Sequence, residues 1–262
     1  MTIAAGNSLL ARIAARIPAP SLVSITGGGG KTALLEGLAR HWRRAGWRVI
    51  ATTTTKICVP TTAGESGVFL DAEADGRWRG TLKRRGEAVL GERIADGKMY
   101  GVAPAFLDRV YEEAVADHLV VEADGARRMP FKAFEAHEPV LPSRTTIQLV
   151  VVGAEVLFAP FSAERAFRPH LLEARYGLVE GERIAVGCLA RILDSPEDYA
   201  RGALPGVPRL LLVNKCDLFG DDPARIDAIA DDLPHRLRTY AGVFFGSLQG
   251  DRLFAERGRG AA

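Results

Sequence analysis

A chain of 262 residues, 47% hydrophobic and 25% charged, has the balance of a folded globular protein and the length for one large α/β domain with an insertion. A net charge of +2 is too small to make nucleic acid the main partner, and no run of 18 apolar residues offers a membrane span, since the best stretch, 147–161, holds Gln148 and Glu155. The three cysteines, Cys58, Cys188 and Cys216, are scattered without paired metal spacing, which points to a reducing compartment and a cytoplasmic protein.

Residues 8–17 carry Leu9, Leu10, Ile13 and Ile17 at helical spacing and read as an amphipathic helix packed on a sheet, although their basic, acid-free composition mimics a transit peptide. The apolar run Leu22–Ile25 then stops at four glycines, Gly27, Gly28, Gly29 and Gly30. Lys31 and Thr32 open a helical pattern of Leu34, Leu35, Leu38 and Ala39. Strand, glycine loop and helix in this order make a phosphate-binding loop: glycine lets an anion approach the backbone, and the helix start favours negative charge. In that pattern Lys31 reaches the β/γ-phosphates and the Thr32 hydroxyl ligates Mg²⁺. Ile25 stands where the common GxxxxGKT loop has its first glycine, so the loop is short, like the TGxxGKT loop of the Mur ligases.

After the first helix, a second strand pattern from Trp47 leads into Thr52–Thr55 and Lys56. Strand ends of this kind bind ligands in α/β sheets, which makes Thr53, Thr54 and Lys56 candidates for Mg²⁺ or γ-phosphate contacts. Residues 61–103 alternate short apolar runs with glycine turns and predict a small β-rich insertion or a meander beside the sheet. The basic clusters Arg40/Arg43/Arg44 and Lys83/Arg84/Arg85 read as solvated faces.

Pro104 starts a helix. The strand His118–Val121 follows, ending in Glu122-Ala123-Asp124-Gly125. Side chains alternate along a strand, so Glu122 and Asp124 share a face and are candidates for Mg²⁺ ligation or water positioning, with the Gly125 N–H near a γ-phosphate. The proline-rich, charged stretch 127–142 reads as a structured loop carrying Lys132, His137 and Glu138. Thr146–Gly153 is a further buried strand, 171–190 is mostly helical with a break at Gly177, and Arg168-Pro169-His170 reads as a proline-started helix. The strand Arg209–Val213 ends in Asn214-Lys215-Cys216-Asp217. A carboxylate at Asp217 can accept from guanine N1–H and N2 together, a donor pair that adenine lacks. Pro223–Leu233 predicts a helix ending before Pro234, Val243–Phe245 the last strand, and Arg257–Ala262 a disordered tail.

The order of phosphate loop, threonine strand end, ExxG and NKxD resembles GTPases that mature nickel, cobalamin and related metallocentres. A closer resemblance runs through ITGGGGKT, TTTTK, VVEADGARRMPFKA, HEPVLP and NKCD, which together are similar to the YqeC-like family of selenium-dependent molybdenum hydroxylase accessory proteins. That resemblance implies a role in maturing a molybdenum-containing hydroxylase, with the hydroxylase or its cofactor-maturation proteins as partners. It also carries the family motifs onto Gly27–Thr32, Thr53–Lys56, Glu122–Gly125, Lys132, His137, Glu138 and Asn214–Asp217, while Arg127 and Arg128 depart from the family's commoner serine and single basic residue.

The expectation is therefore a single P-loop NTPase-like domain over 1–262: a three-layer α/β fold with a mainly parallel sheet, binding Mg²⁺ and GTP or ATP at the strand ends. Lys31, Glu122, Asp124 and His137 are the catalytic candidates; Thr32, Glu122 and Asp124 are the metal candidates. Two other readings stay open. One is an ATP-dependent ligase or kinase with Lys132 and His137 serving an acceptor, and the other a non-catalytic scaffold for a nucleotide or pterin cofactor.

Overall fold

The computed structural model describes residues 7–61, 67–220 and 223–258. In chain order its elements are α1 (Leu9–Ala14), β1 (Ser21–Gly27), α2 (Lys31–Arg44), β2 (Val49–Thr53), β3 (Lys56–Cys58), β4 (Val68–Phe69), α3 (Arg77–Arg85), β5 (Glu87–Leu90), β6 (Arg93–Ala95), β7 (Lys98–Tyr100), α4 (Pro104–Glu112) and β8 (His118–Glu122). There follow β9 (Phe131–Lys132), β10 (Ile147–Gly153), α5 (Glu155–Phe158), β11 (Ala166–Phe167), α6 (Pro169–Tyr176), α7 (Val186–Leu193), β12 (Arg209–Asn214), a 3₁₀ turn (Cys216–Phe219), α8 (Pro223–Arg236), β13 (Gly242–Ser247) and β14 (Arg252–Gly258).

One sheet has the order β14-β13-β12-β10-β1-β8-β2-β5-β4 and is parallel except for β14. Its central strands are buried on both faces and read as continuous apolar runs, as parallel strands covered by helices must. Alternation assigns the faces. Val23 and Ile25 of β1 and Val120 of β8 pack with Leu34, Leu35 and Leu38 of α2 and with Leu9 and Ile13 of α1. On the opposite face Leu22, Leu119 and Val121 meet Trp78 of α3 and Phe106 and Leu107 of α4. Further along that face, Leu211, Val213 and Phe245 meet α7 and α8 through Leu189, Ile192 and Leu233. The result is a three-layer α/β fold of the P-loop type. Truncating a fully buried contact such as Leu34 to alanine removes about 2–5 kcal/mol.

This alternation decides where the strand ends point. Glu122 has the parity of Val120, so its side chain leaves β8 on the α2 face, toward the start of that helix.

The first helix forms as expected, capped by Ser8, whose Oγ accepts the Ala11 N–H at 3.1 Å and donates to Asp251 at 2.7 Å. The interval 61–103, expected as a small β-rich insertion or a meander beside the sheet, divides between two sheets. β4 and β5 continue the main sheet beyond β2, α3 covers them, and only β6 and β7 form a small antiparallel sheet, recruiting β3 from outside the interval. Residues 62–66 of that interval lie outside the described residues. Pro234 lies inside α8 rather than past its end; it forfeits its own helical N–H bond, and the helix stops two residues later. The last strand is not β13 but β14, which includes Arg257 of the expected tail and pairs antiparallel with β13; residues 259–262 lie outside the described residues. No described helix is long and apolar enough to cross a membrane.

Candidate functional site

β1 lies near the middle of the sheet between β10 and β8, and it delivers the glycine loop to the N-terminus of α2. Gly28 donates its N–H to Val151 O at 2.8 Å and Gly29 to Met129 O at 2.9 Å, so the loop is strapped to β10 and to the loop after β8. At Gly29 φ is +78° and a Cβ would strike the backbone N of Gly153; at Gly30 φ is +133° and a Cβ would strike Asn214 Nδ2. Only glycine fits both positions. Because the Gly28 and Gly29 N–H groups are committed, the anion-facing donors are those of the first turn of α2. Gly30 caps that helix with no side-chain acceptor, leaving its positive end for a ligand.

Lys31 Nζ donates to Gly27 O at 2.7 Å and lies 3.5 Å from Glu122 Oε1 and 3.6 Å from Asp124 Oδ1, almost fully buried. Thr32 Oγ1 donates to Glu122 Oε2 at 2.7 Å. Burial pushes the Glu122 carboxyl upward, against the opposing attraction of Lys31. Asp124 shares the face of Glu122 but not its exposure to the cleft. It has no accessible surface and accepts the Gly27 N–H at 3.1 Å and Lys132 Nζ at 2.8 Å, which makes it an anchor beneath the loop. Among the described residues no three His, Cys, Asp or Glu side chains converge on a metal. The Thr32 hydroxyl and Glu122 carboxylate nevertheless suit Mg²⁺, which takes one or two protein oxygens and completes its shell with phosphate oxygens and water. The donor set and the loop fit a nucleotide with its cation.

Lys132 is completely buried and joins Asp124, Gly125 O at 2.6 Å and Glu138 at 2.9 Å. Arg168 adds a 2.6 Å ion pair to Glu138. Burial is the largest influence on Glu138 and acts upward, yet Lys132 and Arg168 outweigh it and hold this carboxyl below its ordinary range. This network fastens the loop after β8 to the start of α6, and Lys132 does not face the cleft. Thr53 is buried and donates to Glu122 O at 2.7 Å, and Thr54 donates to Val140 O at 2.6 Å; both hydroxyls hold backbone. Lys56 reaches Tyr100 OH at 2.7 Å. His137 is an exposed rim residue, 3.6 Å from Glu135.

The NKCD segment divides its work. Asn214 donates to Gly29 O at 2.8 Å and accepts the Leu248 N–H at 2.9 Å, stitching the phosphate loop to the end of β13. Lys215, left-handed at φ 67°, pairs with Glu155 at 2.7 Å and lines the cleft. Burial pushes the Cys216 thiol up to about 12, an inert group. Asp217 stands exposed in the 3₁₀ turn and is not part of the cleft wall.

The cleft measures about 1100 Å³ and is lined by Gly29–Thr32, Glu122, Gly125 and His137. It also takes in Cys58, Lys98 and Tyr100, which the sequence reading did not single out, and Arg127, Arg128 and Arg168, which it left without a role. The signal for the first three is long-range: β3 pairs with β7 so that Cys58 faces Lys98, and no local pattern announces this.

A central parallel strand feeding a glycine loop into a helix start, with Lys31 and a threonine–carboxylate pair at its mouth, defines a phosphate-loop α/β protein. The profile of the YqeC protein family matches residues 23–170, more than half of the chain, and the chain belongs to that family. It is 29% identical over 196 residues to the uncharacterized protein YqeC of Escherichia coli (strain K12), covering 75% of this chain and 76% of that one. Among solved structures, the hydrogenase maturation factor HypB from Archaeoglobus fulgidus is similar at a TM-score of 0.41 and 15% identity, over 89% of this chain and 84% of that one. Chloroplast FtsY from Physcomitrella patens is similar at a TM-score of 0.40 and 16% identity, over 86% of this chain, which spans 58% of the FtsY chain.

Proposed function

We propose that the protein binds a nucleoside triphosphate with Mg²⁺ at the phosphate loop, hydrolyses it slowly, and serves the maturation of a molybdenum-containing hydroxylase in the cytoplasm. The observation that carries the reading is the Thr32–Glu122 hydrogen bond beside Lys31, which sets a hydroxyl, a carboxylate and an ammonium group together at a helix start. In this reading Lys31 turns its charge from the two carboxylates to the β/γ-phosphates, and Thr32 and Glu122 hold the cation. Bound Mg²⁺ supplies charge neutralisation at the phosphate oxygens. The start of α2 binds phosphate through its N–H groups, and the Gly125 N–H and Glu122 order the attacking water at the γ-phosphate. Asn214 keeps Gly29 in place, while Asp217 selects guanine by accepting from two base N–H groups. The maturation role rests on the resemblance of the motifs to hydroxylase accessory proteins.

Phosphate release from Mg²⁺·GTP and Mg²⁺·ATP, measured on the wild type and Asp217→Ala, tests the reading. A guanine preference that disappears in the variant supports it. Equal turnover of both nucleotides, indifferent to Asp217, removes the guanine assignment. Production of ADP with a modified acceptor moves the protein to the ligase or kinase class.

A further inference from the structure

The strand order gives the cleft a direction. β12 and its NKCD turn lie on one side of β1, and β8 and β2 lie on the other. A nucleotide with its base near Asp217 and its phosphates at Gly29–Thr32 therefore directs its terminal phosphate toward the loops that follow β8 and β2. The cleft continues in that direction, and its wall there is mainly cationic, carrying Lys56 and Cys58 of β3, Lys98 of β7, and Arg127 and Arg128, with the Glu92 carboxylate also lining it.

These cations differ from the others around the cleft. Lys31 faces Glu122 and Asp124, Lys215 pairs with Glu155, and Arg168 pairs with Glu138. Among the described residues no carboxylate lies within 4.0 Å of Lys98, Arg127 or Arg128, and the Lys56 contact with exposed Asp96 is at that limit. Lys98 Nζ and Arg128 Nη2 instead converge on Cys58 Sγ, at 3.5 and 3.3 Å, and Arg127 lies over the Phe167 ring at 5.0 Å. Arg127 and Arg128 are consecutive left-handed residues, φ 46° and 64°, a conformation disfavoured without glycine. The backbone is held in this unfavourable region while both guanidinium groups line the cleft. A guanidinium fork matches phosphate oxygens in a bidentate fashion, and four cations suit a ligand with close to two negative charges, which one phosphate monoester carries near neutral pH. The cleft, at about 1100 Å³, lies just above the range of about 300–1000 Å³ for sites that hold one small molecule.

We infer that this wall is a second ligand subsite, for a phosphate-bearing small molecule held at the same time as the nucleotide and beyond its terminal phosphate. The inference rests on the nucleotide reading for what fills the phosphate loop. Cys58 supplies the reporter: the Arg128 hydrogen bond is the largest influence on its thiol and lowers its pKa, Lys98 adds to this, and partial burial opposes it. A thiol so placed reacts with alkylating agents, and a ligand that covers it and draws off its cations slows that reaction.

The test uses the full chain saturated with Mg²⁺ and a non-hydrolysable nucleoside triphosphate analogue, with phenyl phosphate as the probe and iodoacetamide labelling of Cys58 read by peptide mass spectrometry. Phenyl phosphate is expected to slow labelling of Cys58 and leave Cys188 unchanged. In the double variant Lys98→Ala/Arg128→Ala the concentration for half-protection rises about a hundredfold, roughly tenfold for each charge-assisted contact, while nucleotide affinity by calorimetry stays at the wild-type value. Protection that survives the double substitution overturns the inference. So does displacement of the nucleotide by the probe, or a parallel loss of nucleotide affinity in the variant, because the wall then belongs to the nucleotide itself. Wild-type protein that fails to bind nucleotide, yet shows probe protection sensitive to Lys98 and Arg128, sinks the nucleotide reading and supports the subsite.

Discussion

Thr32 Oγ1 donates to Glu122 Oε2 at 2.7 Å across 90 residues of sequence, joining the first turn of α2 to the end of β8. Lys31 lies against the same carboxylate and against Asp124, which in turn accepts the Gly27 N–H. The protein's own side chains therefore fix the helix start, the strand end and the glycine loop relative to one another. Preorganisation of this kind lowers the ordering cost that a polyanionic ligand must offset.

Lys132 is the buried keystone of the neighbouring network, and removing it takes a cation from two buried carboxylates at once. Lys132→Met leaves Asp124 without its shorter ion pair and Glu138 dependent on Arg168 alone. A stability loss of about 3–5 kcal/mol is expected, measured as a shift of the urea unfolding midpoint at constant slope. A loss below about 1 kcal/mol contradicts the role given to this lysine.

Asn214 satisfies one donor and one acceptor at once, so two substitutions separate its functions. Asn214→Ala strands the Gly29 carbonyl and the Leu248 N–H and costs about 1–3 kcal/mol. Asn214→Asp keeps an acceptor for Leu248 but sets a carboxylate oxygen against the Gly29 carbonyl. The aspartate variant is expected to be the less stable of the two at neutral pH, and the order is checked by thermal unfolding.

Two glycines that line the cleft, Gly29 and Gly125, differ in tolerance. Gly29→Ala forces a Cβ onto the Gly153 backbone at positive φ and costs more than about 1 kcal/mol. Gly125→Ala meets no heavy atom within 4 Å and no positive φ, and stability stays within about 0.5 kcal/mol of the wild type. Equal effects of the two substitutions in denaturant titrations contradict the loop geometry.

His118 provides a pH test of the core. Its ring is stacked on Trp42 at 4.0 Å, with Nδ1 2.7 Å from Ser21 Oγ, and burial lowers its pKa to about 4. The unfolded chain binds this proton near pH 6.5. Between about pH 6.5 and 4 the unfolded state therefore holds more protons, and stability falls as the pH is lowered. Above that window the contribution is fully present. Buried Glu122, shifted upward, acts with the opposite sign, so the comparison is between wild type and His118→Gln. The difference between their melting temperatures should narrow as the pH drops through the window, and a constant difference counts against a neutral buried imidazole.

Sequence patterns carried the elements whose signals are local. The glycine loop, the Glu122–Gly125 strand exit and Asn214–Asp217 each sit where a strand hands over to a turn, and the structure places the carboxyl ends of β1, β8 and β12 there. Less legible were features that depend on distant pairing. β14 is an edge strand with only Ala255 buried, so no local apolar pattern marks it, and its end from Arg257 reads as the start of a disordered tail. β4 and β5 are 2 and 4 residues long and join the sheet through β2, and the Lys/Arg-rich α3 between them shows only Trp78, Thr81 and Leu82 to the core. The burial of Lys132 was hidden for the same reason, because Asp124 and Glu138 surround it only after the 131–138 loop folds back onto β8.

The most direct measurement is calorimetric titration of a non-hydrolysable nucleoside triphosphate analogue, with Mg²⁺, into the wild type and Lys31→Ala, each shown by circular dichroism to be folded at the working temperature. Saturable 1:1 binding to the wild type, weakened about a hundredfold or more in the variant, is the expected result. Unchanged affinity in Lys31→Ala, or no binding to the wild type, would contradict the assignment of the glycine loop as a nucleotide site.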